Sequence, residues 1–264
     1  MSQKNNAALG AYELISKNNG PIVLGIGTGS TTDFFTKEFL PKLWEKLNGI
    51  YSSSDKTTNL LKNLGFHVHD YSPETAIDIY VDGADEVDKN FNLIKGGGGA
   101  HTNEKKLAKI ADHFICIVDE SKIVQTLGNF PLPIEIDVHQ SDQALSELKK
   151  YSKNITKRES LSDNENLLYD LHKLKILEPL KIENQILMIN GVVDVGIFAI
   201  DKPQTVIIGG DSSYKLMESW IAEMIKSSSG SILCEKLLTS PCGVIKYLWK
   251  FQEGLSRVNL KSFL

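Results

Sequence analysis

The sequence is poor in cysteine. It has three, Cys116, Cys234 and Cys242, an odd number with no CxxC spacing. Neither a disulfide framework nor a zinc site is suggested, and a reducing compartment fits. No uninterrupted apolar run of about 18 residues is present, so no membrane-spanning helix is expected. The opening MSQKNNAALGAYELISKNNG lacks the apolar core of a signal peptide, and a cytoplasmic location is expected. Positive charge is not in excess: 29 Lys and Arg face 33 Asp and Glu, a net charge of −4. That argues against a large phosphate-neutralising surface for nucleic acid. Internal repeats and low-complexity segments are absent as well. What remains is a 264-residue chain, 41% hydrophobic and 23% charged. Such a chain builds one large domain, or a domain with a smaller companion, without staples.

Hydrophobic periodicity places a helix over residues 4–18, from Ala8, Leu9, Tyr12 and Ile15, with Gly20 beyond its end. PIVLGIG (21–27) reads as a buried strand. Helical sequence follows over 31–47, interrupted by Pro41. A strand at 49–54, a helix at 55–64, a short strand at 66–70 and a stronger strand at 76–83 come next. A helix over 102–112 and a strand over 113–119 complete the alternation. Strands alternating with helices predict a mainly parallel, Rossmann-like sheet. Past Pro131 and Pro133 the order changes to α+β: a strand (134–138), a helix (142–151), strands near 154–159 and 166–172, a helix (180–190) and a strand (191–200). QTVIIGG (204–210) is expected to return to the first sheet, and residues 211–264 to be mostly helical.

Two loops carry anion-binding chemistry. GIGTGSTT (25–32) joins the first strand to a helix; its glycines admit close backbone approach, and Ser30, Thr31 and Thr32 add hydroxyls. The third Rossmann glycine is replaced by Ser30, and no Gly-Lys-Ser/Thr follows, so neither a dinucleotide fingerprint nor a P-loop is present. The loop alone fits either a phosphate site or a plain tight turn. SSSDKTT (52–58) is a second hydroxyl-rich turn at the same carboxyl edge of the sheet.

The stretch DGADEVDKNFNLIKGGGGAHTNEK (82–105) concentrates charge and glycine. An EF-hand is excluded by its spacing, and Asp88, Lys89 and Asn90 read as an ordinary turn. Asp82 and Asp85 lie just past a strand; Lys95 precedes four glycines; Glu104 stands in the first turn of a helix, whose dipole favours its ionised form. An ionised carboxylate is a competent general base, and a lysine can hold charge developing on a substrate oxygen. Beside a phosphate loop, this set suits proton abstraction next to the carbonyl of a sugar phosphate, with no cofactor and no metal.

GIGTGST, SSSDKTT, YVDGADEV, IKGGGGAHTNEK and DESK, with FPLPIEI and GVVDVGIFA further on, occur in the order and spacing of the type A ribose-5-phosphate isomerases. The chain resembles that family from about residue 4 to residue 210. The resemblance implies a Rossmann-like domain (1–130 with about 204–264) and a ferredoxin-like α+β lid (131–203). It implies cofactor-free interconversion of ribose 5-phosphate and ribulose 5-phosphate in the non-oxidative pentose phosphate pathway, by a homodimer or homotetramer. It places the base on Glu104, the oxyanion lysine on Lys95, and the paired aspartates on Asp82 and Asp85. Substrate contacts fall on Thr28, Gly29, Ser30 and Thr31, on Gly83 and Ala84, on Gly96, Gly97 and Gly98, and on Lys122. Asp82 is expected to carry the ring-opening proton and Asp85 to bind hydroxyls. Gly99 and His101 depart from the family pattern, and His101 is expected to be structural or solvent-facing.

Rival readings fit less well. An NAD-dependent dehydrogenase leaves Lys95 and Glu104 without roles, a non-catalytic sugar-phosphate sensor needs no base, and an amino-sugar phosphate deaminase lacks a histidine-centred set. His67 and His69, on one face of a short strand, read as structural. Past the family match, residues 230–251 carry two amphipathic blocks separated by SPCG, expected to cover an apolar face of the same subunit or of a neighbour.

Overall fold

The structure, a computed structural model, describes residues 2–72 and 74–219. The chain begins with helix α1 (Gln3–Ser16), whose N-cap Ser2 accepts the Asn5 N–H at 3.3 Å. Strand β1 (Ile22–Ile26) follows, then α2 (Ser30–Glu38) and a 3-10 turn (Leu40–Lys46) with Pro41 in its first positions. Proline thus ends the α-helix where its missing N–H and ring forbid continuation. After β2 (Leu47–Ser52) comes α3 (Asp55–Asn63), capped by Ser54, which accepts the Thr57 N–H at 3.1 Å. Strands β3 (Ile77–Asp82), β4 (Glu86–Val87) and β5 (Leu93–Ile94) lead to α4 (His101–Ile110) and β6 (Ala111–Asp119).

Next in the chain are β7 (Leu132–Ile136), α5 (Ser141–Leu148), β8 (Ile155–Leu161), β9 (Leu167–Leu171), α6 (Pro179–Leu187) and β10 (Val192–Val195). This βαββαβ unit forms an antiparallel sheet of order β10-β7-β9-β8, the ferredoxin-like arrangement of a small lid. The described residues end with β11 (Ile197–Phe198), β12 (Thr205–Gly209) and β13 (Tyr214–Glu218).

The main sheet has the order β13-β12-β6-β3-β1-β2 and is parallel except for β13. Its central strands are apolar on both faces. On β3 and β6, Ile79, Val81, Ile115 and Ile117 join a core shared with α1 and α2. Tyr80, Phe114, Cys116 and Val118 join the opposite core with Leu107 of α4. Period-two alternation with both sides buried is what helices on two faces require. Chain order reverses at β1, between β2 and β3. In open α/β sheets such a switch point opens the crevice where ligands bind, at the carboxyl ends of the strands.

Three expectations are corrected. Residues 66–70 form no strand; the His69 N–H reaches the Ile50 carbonyl at 2.9 Å, one bond rather than a ladder. Residues 191–200 are not one strand: β10 and β11 belong to different sheets and part at Gly196, whose carbonyl accepts the Lys95 N–H at 2.8 Å. A Cβ there would lie 2.3 Å from the Lys95 carbonyl, so the crossing needs glycine. Finally, residues 214–218 are not helical but an antiparallel edge strand, with Tyr214 OH donating to Glu13 Oε2 at 2.6 Å. The amphipathic blocks at 230–251, and the helices expected there, lie outside the described residues. No helix among the described residues is long and apolar enough to cross a membrane.

Candidate active site

Four strand ends deliver the site. β1 ends at the 25–32 loop, β2 at the serine-rich turn, β3 at Asp82, and β6 at a 3-10 turn (Glu120–Lys122) that carries Lys122. Thr28 ties the first two together. Its hydroxyl lies 2.9 Å from Ser53 Oγ, 2.6 Å from Ser54 Oγ and 3.1 Å from Thr57 Oγ1. Ser30 opens α2 and accepts from Lys4 Nζ at 2.8 Å, while Gly29 is the N-cap. The N–H groups of this first turn have no carbonyl of their own helix to meet, which favours an anion there.

Asp82 is fully buried and saturated with donors. Its Oδ1 accepts from the Thr28 and Gly83 N–H groups at 3.0 and 2.7 Å and from Thr32 Oγ1 at 3.3 Å. Tyr80 OH donates to its Oδ2, and Lys95 Nζ lies 2.7 Å from the same oxygen. Gly27 makes this packing possible: a Cβ there would fall 1.8 Å from Asp82 Cγ. Asp85 is only half-buried, and its Oδ2 accepts the Gly97 N–H at 2.8 Å.

Lys95, 2% exposed, bridges Asp82 and Glu104, with Nζ 3.2 Å from Glu104 Oε2 and donating to the Gly83 carbonyl at 2.6 Å. That Oε2 is buried and makes no aligned hydrogen bond. Burial pushes the Glu104 carboxyl well above the ordinary glutamate value, against the pull of Lys95, with Asp82 and Asp85 pushing the same way. Burial alone would lower the Lys95 ammonium, but Asp82 and Glu104 outweigh it and hold it above the ordinary lysine value. Burial, then the Asp82 charge, raises the Tyr80 hydroxyl, which stays a donor. A raised carboxyl beside a permanent ammonium matches the tuning of proton-transfer sites.

Helix α4 holds Glu104 by its neighbours. Thr102 donates its hydroxyl to Glu135 of β7, and Lys105 Nζ lies 2.9 Å from both Glu183 Oε1 and Asp194 Oδ1. Both contacts reach into the lid, so the helix that carries the carboxylate is fastened on two sides of it.

His101, first residue of α4, is fully buried and not solvent-facing. It packs under the glycine run, where a Cβ on Gly96 (φ 101°) would meet its Nδ1 at 2.7 Å. Neither ring nitrogen makes a hydrogen bond of ordinary geometry. Burial lowers its pKa to about 3, assisted by Lys105, Arg158 and Lys95 and opposed by the Asp194 backbone. A lowered folded value means the unfolded chain binds the extra proton first. The resulting stability is complete above the ordinary histidine value and is lost as pH falls from there toward about 3. The parent should lose up to about 1.4 kcal/mol per pH unit through that window from this one group. His101→Leu should flatten the slope. Urea unfolding across the acid range measures it, and an unchanged slope would contradict the assignment.

The crevice therefore gathers the 28–31 loop, Asp82, Gly83, Ala84, Asp85, Lys95, the glycines and Glu104; Lys122 stands at the same edge. His67 and His69 pack edge to face 4.7 Å apart, and His69 also lies against Tyr51. Tyr80, a partner of Asp82 not named from the sequence, has a signal there: two residues before Asp82 on one strand, it shares that face. Thr32 and the lid residue Arg158 were not anticipated as partners of Asp82 and of the glycine run. Among the described residues, no group of three or more His, Cys, Asp or Glu side chains is arranged to hold a metal.

The fold and crevice define a class: a doubly wound α/β enzyme in which a buried carboxyl and a buried ammonium lie in contact at the carboxyl edge of the sheet, where helix α2 also begins. Residues 50–213 match the family described as ribose 5-phosphate isomerase A (phosphoriboisomerase A). The ribose-5-phosphate isomerase A of Francisella tularensis subsp. novicida is 43% identical over 217 residues, 80% of this chain and 96% of the relative. The crystal structure of ribose 5 phosphate isomerase A from Neisseria gonorrhoeae superposes with a TM-score of 0.77 at 36% identity, over 82% of this chain and 96% of that one. The Methanocaldococcus jannaschii structure gives 0.74 at 30% identity, over 82% and 98%. The chain belongs to the ribose 5-phosphate isomerase A family.

Proposed function

We propose that this protein interconverts D-ribose 5-phosphate and D-ribulose 5-phosphate through an enediolate, with no redox cofactor or metal, in the cytoplasm and as a homodimer or homotetramer. One observation carries the chemistry: the buried Glu104 carboxylate has an oxygen free of aligned hydrogen bonds, 3.2 Å from a lysine that two carboxylates keep charged. A base needs that freedom to accept a proton, and the enediolate oxygen needs the charge.

The substrate phosphate sits on the hydroxyls and amides of Thr28, Gly29, Ser30 and Thr31, with Lys122 assisting. Glu104 takes the proton from C2 of the aldose and returns it to C1. Lys95 and the amides of Gly96, Gly97 and Gly98 stabilise the oxygen that becomes negative. The geometry supports the reverse of the aspartate division expected from sequence. Asp82 is buried and saturated, which suits a fixed anchor for Lys95. Asp85 is half-buried and holds one amide, which leaves an oxygen to carry the ring-opening proton. Gly83 and Ala84 line the floor between them. The four-stranded layer closes over this crevice as the lid.

A coupled assay of aldose–ketose conversion tests the reading, with deuterium incorporation at the transferred position as its second readout. Turnover should persist through dialysis against a chelator. No conversion by the folded protein, or activity restored only by a particular cation, would overturn it.

A further inference from the structure

The glycine run is gripped from the lid. Arg158 of β8 donates from Nη1 to the carbonyls of Gly96 at 2.9 Å and Gly97 at 3.2 Å. Its Nη2 and Nε are taken by Asp170 of β9 at 2.6 and 2.8 Å. An arginine fork can serve one carboxylate in bidentate fashion and still aim a third nitrogen elsewhere; a lysine cannot. Each trans peptide places its N–H opposite its carbonyl. The peptide of the Gly96 carbonyl therefore presents the Gly97 N–H, which donates to Asp85 Oδ2 at 2.8 Å. The peptide of the Gly97 carbonyl presents the Gly98 N–H. Gly98 is exposed and faces the other loop across the crevice, where a Cβ on it would lie 3.7 Å from Thr28 Cγ2. Among the described residues that N–H makes no hydrogen bond.

We propose that Arg158 is a positioning residue of this site: by holding the Gly96 and Gly97 carbonyls it fixes the run so that one amide orients Asp85 and the Gly98 amide stays free to receive the enediolate oxygen. A guanidinium on the carbonyl oxygen also draws density from the N–H of the same peptide, which strengthens it as a donor. The lid thus completes an oxyanion-binding peptide that the crevice loops cannot fix alone. This rests on the isomerase reading for its chemistry, but the Arg158 contacts are independent of it.

The test pairs Arg158→Met with Asp170→Asn, so that no charge is left without its partner, and adds Arg158→Lys, which keeps the charge and loses the fork. The expected result for the pair is a kcat lower by about tenfold with KM little changed, smaller than the effect of removing an oxyanion donor outright. Affinity for a phosphorylated aldonohydroxamate, a mimic of the enediolate, should fall in step with kcat/KM, and added guanidinium ion should restore part of the loss. Arg158→Lys should show the same pattern more weakly. The Gly98 amide proton should move upfield in every variant, a readout that needs no turnover and stands even if the parent isomerises nothing. Parent-like kcat and mimic affinity, or a Gly98 resonance that does not move, would overturn the proposal.

Discussion

Glu104→Gln is expected to lose turnover by about 10²–10⁴-fold, the usual worth of a general base, while substrate affinity is largely kept. The amide preserves shape and the contact with Lys95 but cannot accept the proton from C2. The same substitution should change stability in a pH-dependent way. Burial holds the folded-state Glu104 pKa above its unfolded value. The native state then binds a proton that the unfolded chain has already released, so stability is fully present below the ordinary glutamate value and is lost as pH rises through the raised one. Glutamine carries no charge to bury, so the variant should match the parent in mild acid and exceed it in alkali. The parent's kcat/KM should likewise have its acid limb above the ordinary carboxylate range, since only the ionised form is a base. Rate–pH profiles and urea unfolding at both ends of the range check this. Parent-like turnover removes Glu104 from the chemistry; an identical stability profile removes the buried charge.

The sequence carried the parallel core plainly. β3 and β6 carry apolar residues for both faces, Ile79, Val81, Ile115 and Ile117 on one and Tyr80, Phe114, Cys116 and Val118 on the other, where Leu107 of the intervening helix α4 also packs. The crevice was legible because its residues cluster at strand ends and in one 24-residue stretch. What escaped detection depends on long-range contact. Arg158 lies 62 residues from Gly96, and only the lid topology brings its guanidinium to that carbonyl. The break at Gly196 follows from close packing on Lys95, which a strand-like run such as GVVDVGIFAI hides. β4 and β5, two residues each, are too short for a period to register. The strand at 214–218 was lost because β13 lies at the edge of the sheet, where amphipathic residues resemble a helix face. His101 reads from sequence as structural or solvent-facing; it is fully buried, and a histidine beside four glycines carries no sequence signal of that burial.

Lys95→Met should be the most damaging exchange in the crevice, for two separable reasons. The first is catalytic: without an ammonium to receive the developing charge, turnover should fall by about 10²–10³-fold. The second is electrostatic. Asp82 would keep the Thr28, Gly83, Thr32 and Tyr80 donors, but Glu104 would lose its ion pair with Lys95 and still face Asp82. Breaking a buried ion pair by removing one partner costs about 3–5 kcal/mol when the other stays charged. Glu104 can escape that cost by remaining protonated, which raises its pKa further and disables it as a base. The catalytic loss should therefore exceed the oxyanion effect at neutral pH and shrink in alkali, where Glu104 ionises. Stability should run the other way, near the parent in mild acid and increasingly below it as pH rises, because the widened gap between folded and unfolded values extends the range over which protons are released on unfolding. Thermal unfolding and rate–pH profiles on the same preparations measure both slopes. A variant with the parent's acid limb, or one whose deficit lies wholly in KM, would show that Lys95 binds substrate without bearing charge for the reaction.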